Sequence, residues 1–537
     1  MTKKPHRLIP QVLGAGLTLF GVVACGTRAS TPATQTQIND ANSYYSQGLA
    51  RSRNQRNFTG AIDNFSKAIN LNPKKTEAYS ERAFANLMLG KNDNAIADYT
   101  KAIDLNPKND NNYNNRGLAK FARGKNDEAI ADYSKAIDLN PKYDNAYNNR
   151  GLAKYSLGKN DEAIADYSKA IDLNPKNDAA YNNRSLAKYS LGKKAEAIAD
   201  YTKAIDLDPT NDAAYYRRGN AKYDLGKKAE AIADYTKAIE LNPKNADAYI
   251  GRGNVKYDLG KKAEAIADYT KAIELNPKNA DAYIGRGKAK SALGKNAEAI
   301  PDFSKAIELN PKDAGAYFAR GDIKFTLAKK EEALRDFSKA IDLNPKYTHA
   351  YHMRATVNSM LGKQAETIAD YTKLIDLNPK DTGAYVGRGY TNYGLGKTEE
   401  AIADFSKALD IEPKNASAYF YRAVCKDNLG KKKEALADYN KAIELAPAYP
   451  TDNYVRRGNV KSALGKKAEA ISDYTKAIGI DAKYADAYYN RGNAKSDLGK
   501  KAEAITDYQK AADLYKQQKQ TSDYQKVVKK IQELSAQ

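Results

Sequence analysis

The sequence predicts an all-α protein, a right-handed α-solenoid of about 14 stacked helical hairpins closed by one further helix. Three observations carry this. Prolines recur at Pro73, Pro107, Pro141, Pro175, Pro209, Pro243, Pro277, Pro311, Pro345, Pro379, Pro413 and Pro447, each 34 residues after the last, and a fixed period of that length marks a repeat architecture. Within one period Ala197, Ile198, Tyr201, Ala204 and Ile205 form an apolar stripe at helical spacing. No alternation of strand type is found. Composition narrows the functions. With 3 His and 2 Cys in 537 residues there is no disulfide framework and almost no material for an imidazole metal site. The excess of 87 Lys+Arg over 66 Asp+Glu gives +21, but charged residues are 28% of the chain, near the ~25% of ordinary soluble proteins. The surplus is spread lysine, not basic low complexity.

Taken in order, residues 1–24 carry Lys3, Lys4 and Arg7, an apolar run over Val12–Ala24, and small residues before Cys25. This is the pattern of a secretory signal, and its apolar part of about 13 residues falls short of the roughly 20 that a membrane-spanning helix needs. Val22-Val23-Ala24-Cys25-Gly26 resembles the lipobox of bacterial lipoproteins. The resemblance implies cleavage before Cys25 and acylation of that cysteine, with two or three chains giving stable anchoring. A plain signal peptide is the alternative. Gly26, where an Asp would favour the inner membrane, leans towards the outer one under that family's sorting rule. Losing residues 1–24 removes three bases and no acid, leaving +18. Residues 25–41, rich in Thr, Ser, Ala and Gln, read as an acylated cysteine and flexible tether.

Residues 42–518 are the repeat array. Each period holds two helices: Gly192 ends the first, where positive φ is needed, and Pro209 stops the second. With the proline at position 32, the repeat from residue 178 has Tyr181 at position 4, Ser185 at 8, Ala197 at 20, Tyr201 at 24 and Ala204 at 27. This resembles the tetratricopeptide repeat, in which small residues let helices approach and the two rings fill the gaps. Packing thus accounts for most of the 40 Tyr. Departures are informative. The first repeat has an extra residue around Arg51–Asn57. The thirteenth, starting near Pro450, is 35 long with Ala482 for the proline, and the tenth has Thr367 and Leu374 at small-residue positions, which predicts looser packing there. Residues 519–537 are expected to cap the array through Val527, Val528 and Ile531, leaving Lys526, Lys529 and Lys530 wet.

In this family positions 2, 5, 6, 9 and 12 of the first helix face a concave groove. Positions 5, 9 and 12 read Asn114, Leu118, Phe121; Asn148, Leu152, Tyr155; Asn182, Leu186, Tyr189; Tyr216, Asn220, Tyr223; Ile250, Asn254, Tyr257; Phe318, Asp322, Phe325. Rings beside amides suit an extended peptide or a partner's helix. Asn115, Asn149 and Asn183 at position 6 are similar to the asparagine ladder of O-linked N-acetylglucosamine transferases, which implies a grip on peptide backbone; recent duplication of a soluble Asn explains them equally. The ladder breaks at Arg217, Gly251 and Gly285. A carboxylate clamp, which wants Lys at 5 with Asn at 9, is incomplete, because Tyr216 and Ile250 stand beside Asn220 and Asn254. Arg116, Arg150, Arg184, Arg218, Arg252 and Arg286 recur at position 7 and are assigned to intramolecular pairing with acids such as Glu196 and Asp200 rather than to anion binding.

Enzymes, cofactors and metals find no footing. His349 and His352 at i, i+3 lack a third ligand, and Cys425 has no histidine in its repeat, so it reads as a half-buried thiol. The reading is a non-enzymatic, lipid-anchored scaffold of the bacterial envelope, tied to the membrane by its lipid, whose groove holds peptides or other envelope proteins. Neither nucleic acid nor a small-molecule substrate is expected. The alternatives are a basic surface for anionic polymer or lipid headgroups and an adaptor regulating a partner enzyme.

Overall fold

The computed structural model describes residues 34–446 and 451–536. The signal segment, Cys25, and Pro447 and Pro450 lie outside them. The described residues are helical throughout, with 29 α-helices making fourteen hairpins and a terminal helix and no strand among them. The fold is an α-solenoid, as the period predicts. Two compact bodies divide it, Met1–Pro277 holding the first seven hairpins and Lys278–Gln537 the other seven with the terminal helix.

One hairpin explains the rest. Its first helix, Asp178–Ser190, starts after Asn177, whose side chain accepts the Ala180 N–H, and ends where Gly192 turns the chain with φ +76°. The second helix, Lys194–Leu207, closes at Asp208 before Pro209. Tyr201, Ala197, Ala204 and the neighbouring Ser185 are buried between the helices. Glycine at position 8 is a matter of space: a Cβ on Gly151 would sit 2.7 Å from the ring of Tyr167.

The departures resolve physically. The extra residue of the first hairpin is absorbed as a π-helical turn over Ala50–Asn54, after which Arg56 takes φ +50°. The tether expected to run to residue 41 is shorter: a helix already begins at Gln35, because Thr34 and Gln37 form a reciprocal capping box. The two helices of the tenth hairpin approach each other less closely than those of any other hairpin, as its larger residues predict, yet no gap is left open. Leu374 and Thr367 are fully buried, the threonine hydroxyl bonding back to the Lys363 carbonyl, and Tyr371 swings to a half-buried place beside Gly387 of the next hairpin. The terminal helix, Thr521–Ser535, buries Val527 against Leu514 and Tyr515 with Ile531 packed alongside, while Lys526, Lys529 and Lys530 are exposed.

Candidate functional site

First helices of adjacent hairpins touch directly, as Asp144–Ser156 touches Asp178–Ser190 and Ala314–Thr326 touches Thr348–Met360. That spacing puts the first helices on the inner, concave side of each body.

The arginine row is structural. Arg184 donates from Nε and Nη2 to both carboxylate oxygens of Asp200, at 2.8 and 2.7 Å, and from Nη1 to Ser168 of the preceding hairpin at 3.0 Å. Lys188 reaches the same carboxylate at 2.9 Å, and Tyr181 lies beneath the guanidinium. The Arg–Asp pair recurs in every hairpin from the second to the fourteenth. Where the lysine is missing, Asn86, Asn358 or Asn392 donates to the Asp instead. The hydrogen bond to Asp268, the largest cause, holds Arg252 above its ordinary pKa, so these arginines are committed to the fold.

The asparagines are also partly committed. Asn149 donates to Asn114 and Asn183 to Asn148, both at 3.0 Å, and Arg217 continues the series onto Asn182 at 3.3 Å. Position 6 of one hairpin therefore grips position 5 of the hairpin before it. As a result Asn114 and Asn148 are buried under the groove surface instead of standing open in it, whereas Asn115, Asn149, Asn182 and Asn183 are half-buried at its floor. Leu118, Phe121, Leu152, Tyr155, Leu186 and Tyr189 are likewise half-buried there.

Asn220 and Asn254 do something the sequence reading missed. Their oxygens accept the hydroxyls of Tyr235 and Tyr269 from the hairpin core, each at 2.7 Å, and Asn459 and Asn493 do the same for Tyr474 and Tyr508. Where position 9 is apolar, as in the Leu152 and Val424 hairpins, the buried Tyr167 and Tyr439 hydroxyls have no partner. The signal that could have found this is the pairing of Asn at 9 with Tyr, never Phe, at 24. Position 12 forms a zipper: Tyr155 with Ser190 at 3.1 Å, Tyr189 to Asp224 and Tyr223 to Asp258 at 2.6 Å, and Lys262 over the Tyr257 ring at 3.5 Å. Tyr216 leans its ring on Tyr235 at 6.0 Å.

In the second body the five groove positions carry Asp281, Asp322, Asp427, Asp452 and Asp486 against Lys288 and Arg456. That face is acidic in a chain of +21. Cys425 is fully buried against Ala401 and Phe405, deeper than expected, and burial pushes its thiol up to about 11. His352 bonds Asp381 at 3.0 Å, and no cluster able to hold a metal occurs among the described residues. No described helix is long and apolar enough to cross a membrane.

A family model described as "TPR repeat" matches residues 88–122, 117–158, 151–192, 186–226, 219–260, 253–294 and 458–499, and models described as "Tetratricopeptide repeat" match 280–313, 314–347, 353–416, 386–450 and 485–518. No match was found among curated proteins. Among solved structures the chain is similar to YrrB, a TPR protein with an unusual peptide-binding site, at 27% identity over 34% of this chain and 95% of that one, with a TM-score of 0.32. It is similar to a tetratricopeptide repeat protein from Parabacteroides merdae at 25% identity, over 46% and 98%, with a TM-score of 0.38. MamA matches at 29% identity over 30% and 93%, with a TM-score of 0.28.

Proposed function

From the premise that this chain belongs to the tetratricopeptide repeat family, we propose that it is a non-enzymatic scaffold, anchored by lipid at Cys25 to the bacterial envelope, that assembles or localises partner proteins by holding their segments in its groove. Protein–protein interaction is typical of this repeat. One observation carries the reading for this chain. The packing positions keep small residues and one aromatic ring in nearly every hairpin, the tenth excepted, whereas inner-face position 5 changes from Asn148 to Tyr216, Ile250 and Phe318. A surface that varies where its support does not is a surface that selects. The half-buried Asn149 and Asn183 spend an amide N–H on neighbouring hairpins, which leaves their oxygens as the acceptors a peptide backbone N–H would use.

Crosslinking in intact cells, followed by identification of captured proteins, tests this. Replacing Asn115, Asn149 and Asn183 by Ala is expected to deplete the captured set; an unchanged set removes the asparagines from the binding site. For the anchor, Cys25→Ser should move the protein from the membrane to the soluble fraction, and persistence in the membrane would refute lipidation.

A second reading, an outer surface for anionic polymer or headgroups, draws on the lysine after each turn glycine. Lys193, Lys227 and Lys261 expose 48%, 52% and 56% of their side chains. Such binding would collapse with added salt, and groove-held peptide would persist.

A further inference from the structure

Asp322 and the helix-start Asp281 differ from the other inner-face acids of the second body, whose carboxylates are engaged. Asp427 is paired with Lys432, Asp452 with Arg456, and Asp486 accepts the Tyr515 hydroxyl. Asp322, on the first helix Ala314–Thr326 of the ninth hairpin, is exposed and has no ion pair or side-chain hydrogen bond among the described residues. It also has no internal task. At position 9 an Asn elsewhere serves the core tyrosine, but the core ring of this hairpin is Phe337, which has no hydroxyl to satisfy.

The flanks of this carboxylate are aromatic. Phe318, one turn before it, packs on Phe337 at 5.6 Å and on Tyr347 at 5.0 Å, and Phe325 follows three residues later on the same face. Partial burial raises the Asp322 carboxyl above its ordinary pKa, with no neighbouring charge contributing. An unpaired carboxylate beside fixed π faces attracts a cation twice, by charge-assisted hydrogen bonding and by the ring quadrupole.

We propose that Phe318, Asp322 and Phe325 form a receptor for a basic side chain, so that the segment held by the second body is one with an Arg or Lys set among apolar residues. This rests on the groove reading above. Charge complementarity favours it, because the inner face there is acidic. Lys288, at the same position of the eighth hairpin, is the base nearest along that row and makes no ion pair with Asp322.

The test uses the detergent-solubilised full chain and fluorescein-labelled peptides of alternating Leu and Ser with a central Arg, Gln or Glu, read by anisotropy. The Arg peptide should bind best. Asp322→Asn, isosteric and exposed, should weaken it by about tenfold and leave the Gln peptide unchanged. Equal binding of Arg and Gln peptides, a preference for the Glu peptide, or an unaltered Arg affinity in Asp322→Asn would each overturn the receptor while leaving the groove reading intact. Failure of every peptide to bind would overturn both.

Discussion

Tyr269 donates its hydroxyl to Asn254 at 2.7 Å, joining the core of one hairpin to the floor of its own groove. The same side chain thus occupies a groove position and completes the core. Asn254→Leu should orphan the Tyr269 hydroxyl and cost about 1–3 kcal/mol. The reverse change, Leu152→Asn, gives the unpartnered Tyr167 hydroxyl an acceptor and should stabilise by about 1 kcal/mol. Hydrogen exchange localised to the two hairpins would register opposite signs. Equal effects would show that the hydroxyl bond is worth nothing.

Asp200 collects Arg184 and Lys188, and its side chain is only 8% exposed. Asp200→Ala would leave two cations facing each other with the carboxylate gone. A loss of about 3 kcal/mol is expected, confined to the fifth hairpin and its neighbours because each repeat contacts only those beside it. Exchange protection mapped along the chain checks both size and spread. Protection lost evenly across all repeats would contradict that one-dimensional coupling.

The period, the two helices per repeat and the arginine pairing were legible because each follows from a residue type repeated at one position. Tyr201 can only be a core ring if a small residue faces it every 34 residues, and the sequence shows that. The Asn254–Tyr269 bond was not legible in this way. Its partners sit on different helices, and a column-by-column reading weighs each position alone. Nor was the burial of Asn114 legible, since it depends on the reach of Asn149 from the next hairpin. The early helix start at Gln35 was written in Thr34 and Gln37, but a segment rich in Thr and Gln reads as tether unless the cap is sought.

Gly151 faces the Tyr167 ring, and Ser185 holds the corresponding place in the next hairpin. One extra heavy atom or two are therefore accommodated by a shift of the ring. A branched side chain is a different matter. Gly151→Ala should cost no more than about 1 kcal/mol, whereas Gly151→Val should cost about 1–3 kcal/mol through overpacking. Thermal unfolding of the two variants, run beside the parent, discriminates; a valine variant as stable as the alanine one would mean that the helices separate freely.

Alkaline pH should loosen the array from its titratable core. Burial, with a hydrogen bond to Asp258, pushes the Tyr223 hydroxyl up to about 12, and burial beside Tyr489 does the same for Tyr508. Burial alone takes Cys425 to about 11. In each case the folded chain holds the proton more tightly than the unfolded chain, whose values are about 10 for tyrosine and 8.5–9 for cysteine. The stabilisation is therefore fully present below those unfolded values and is lost as pH climbs through the folded ones. Denaturant midpoints should stay flat to about pH 9 and fall between about pH 10 and 12. Over the same window phenolate absorbance should lag that of the unfolded chain, and the Cys425 thiol should resist a thiol reagent until the hairpin opens. A phenolate titration identical in folded and unfolded chain would show that these rings are not held where the hairpins place them.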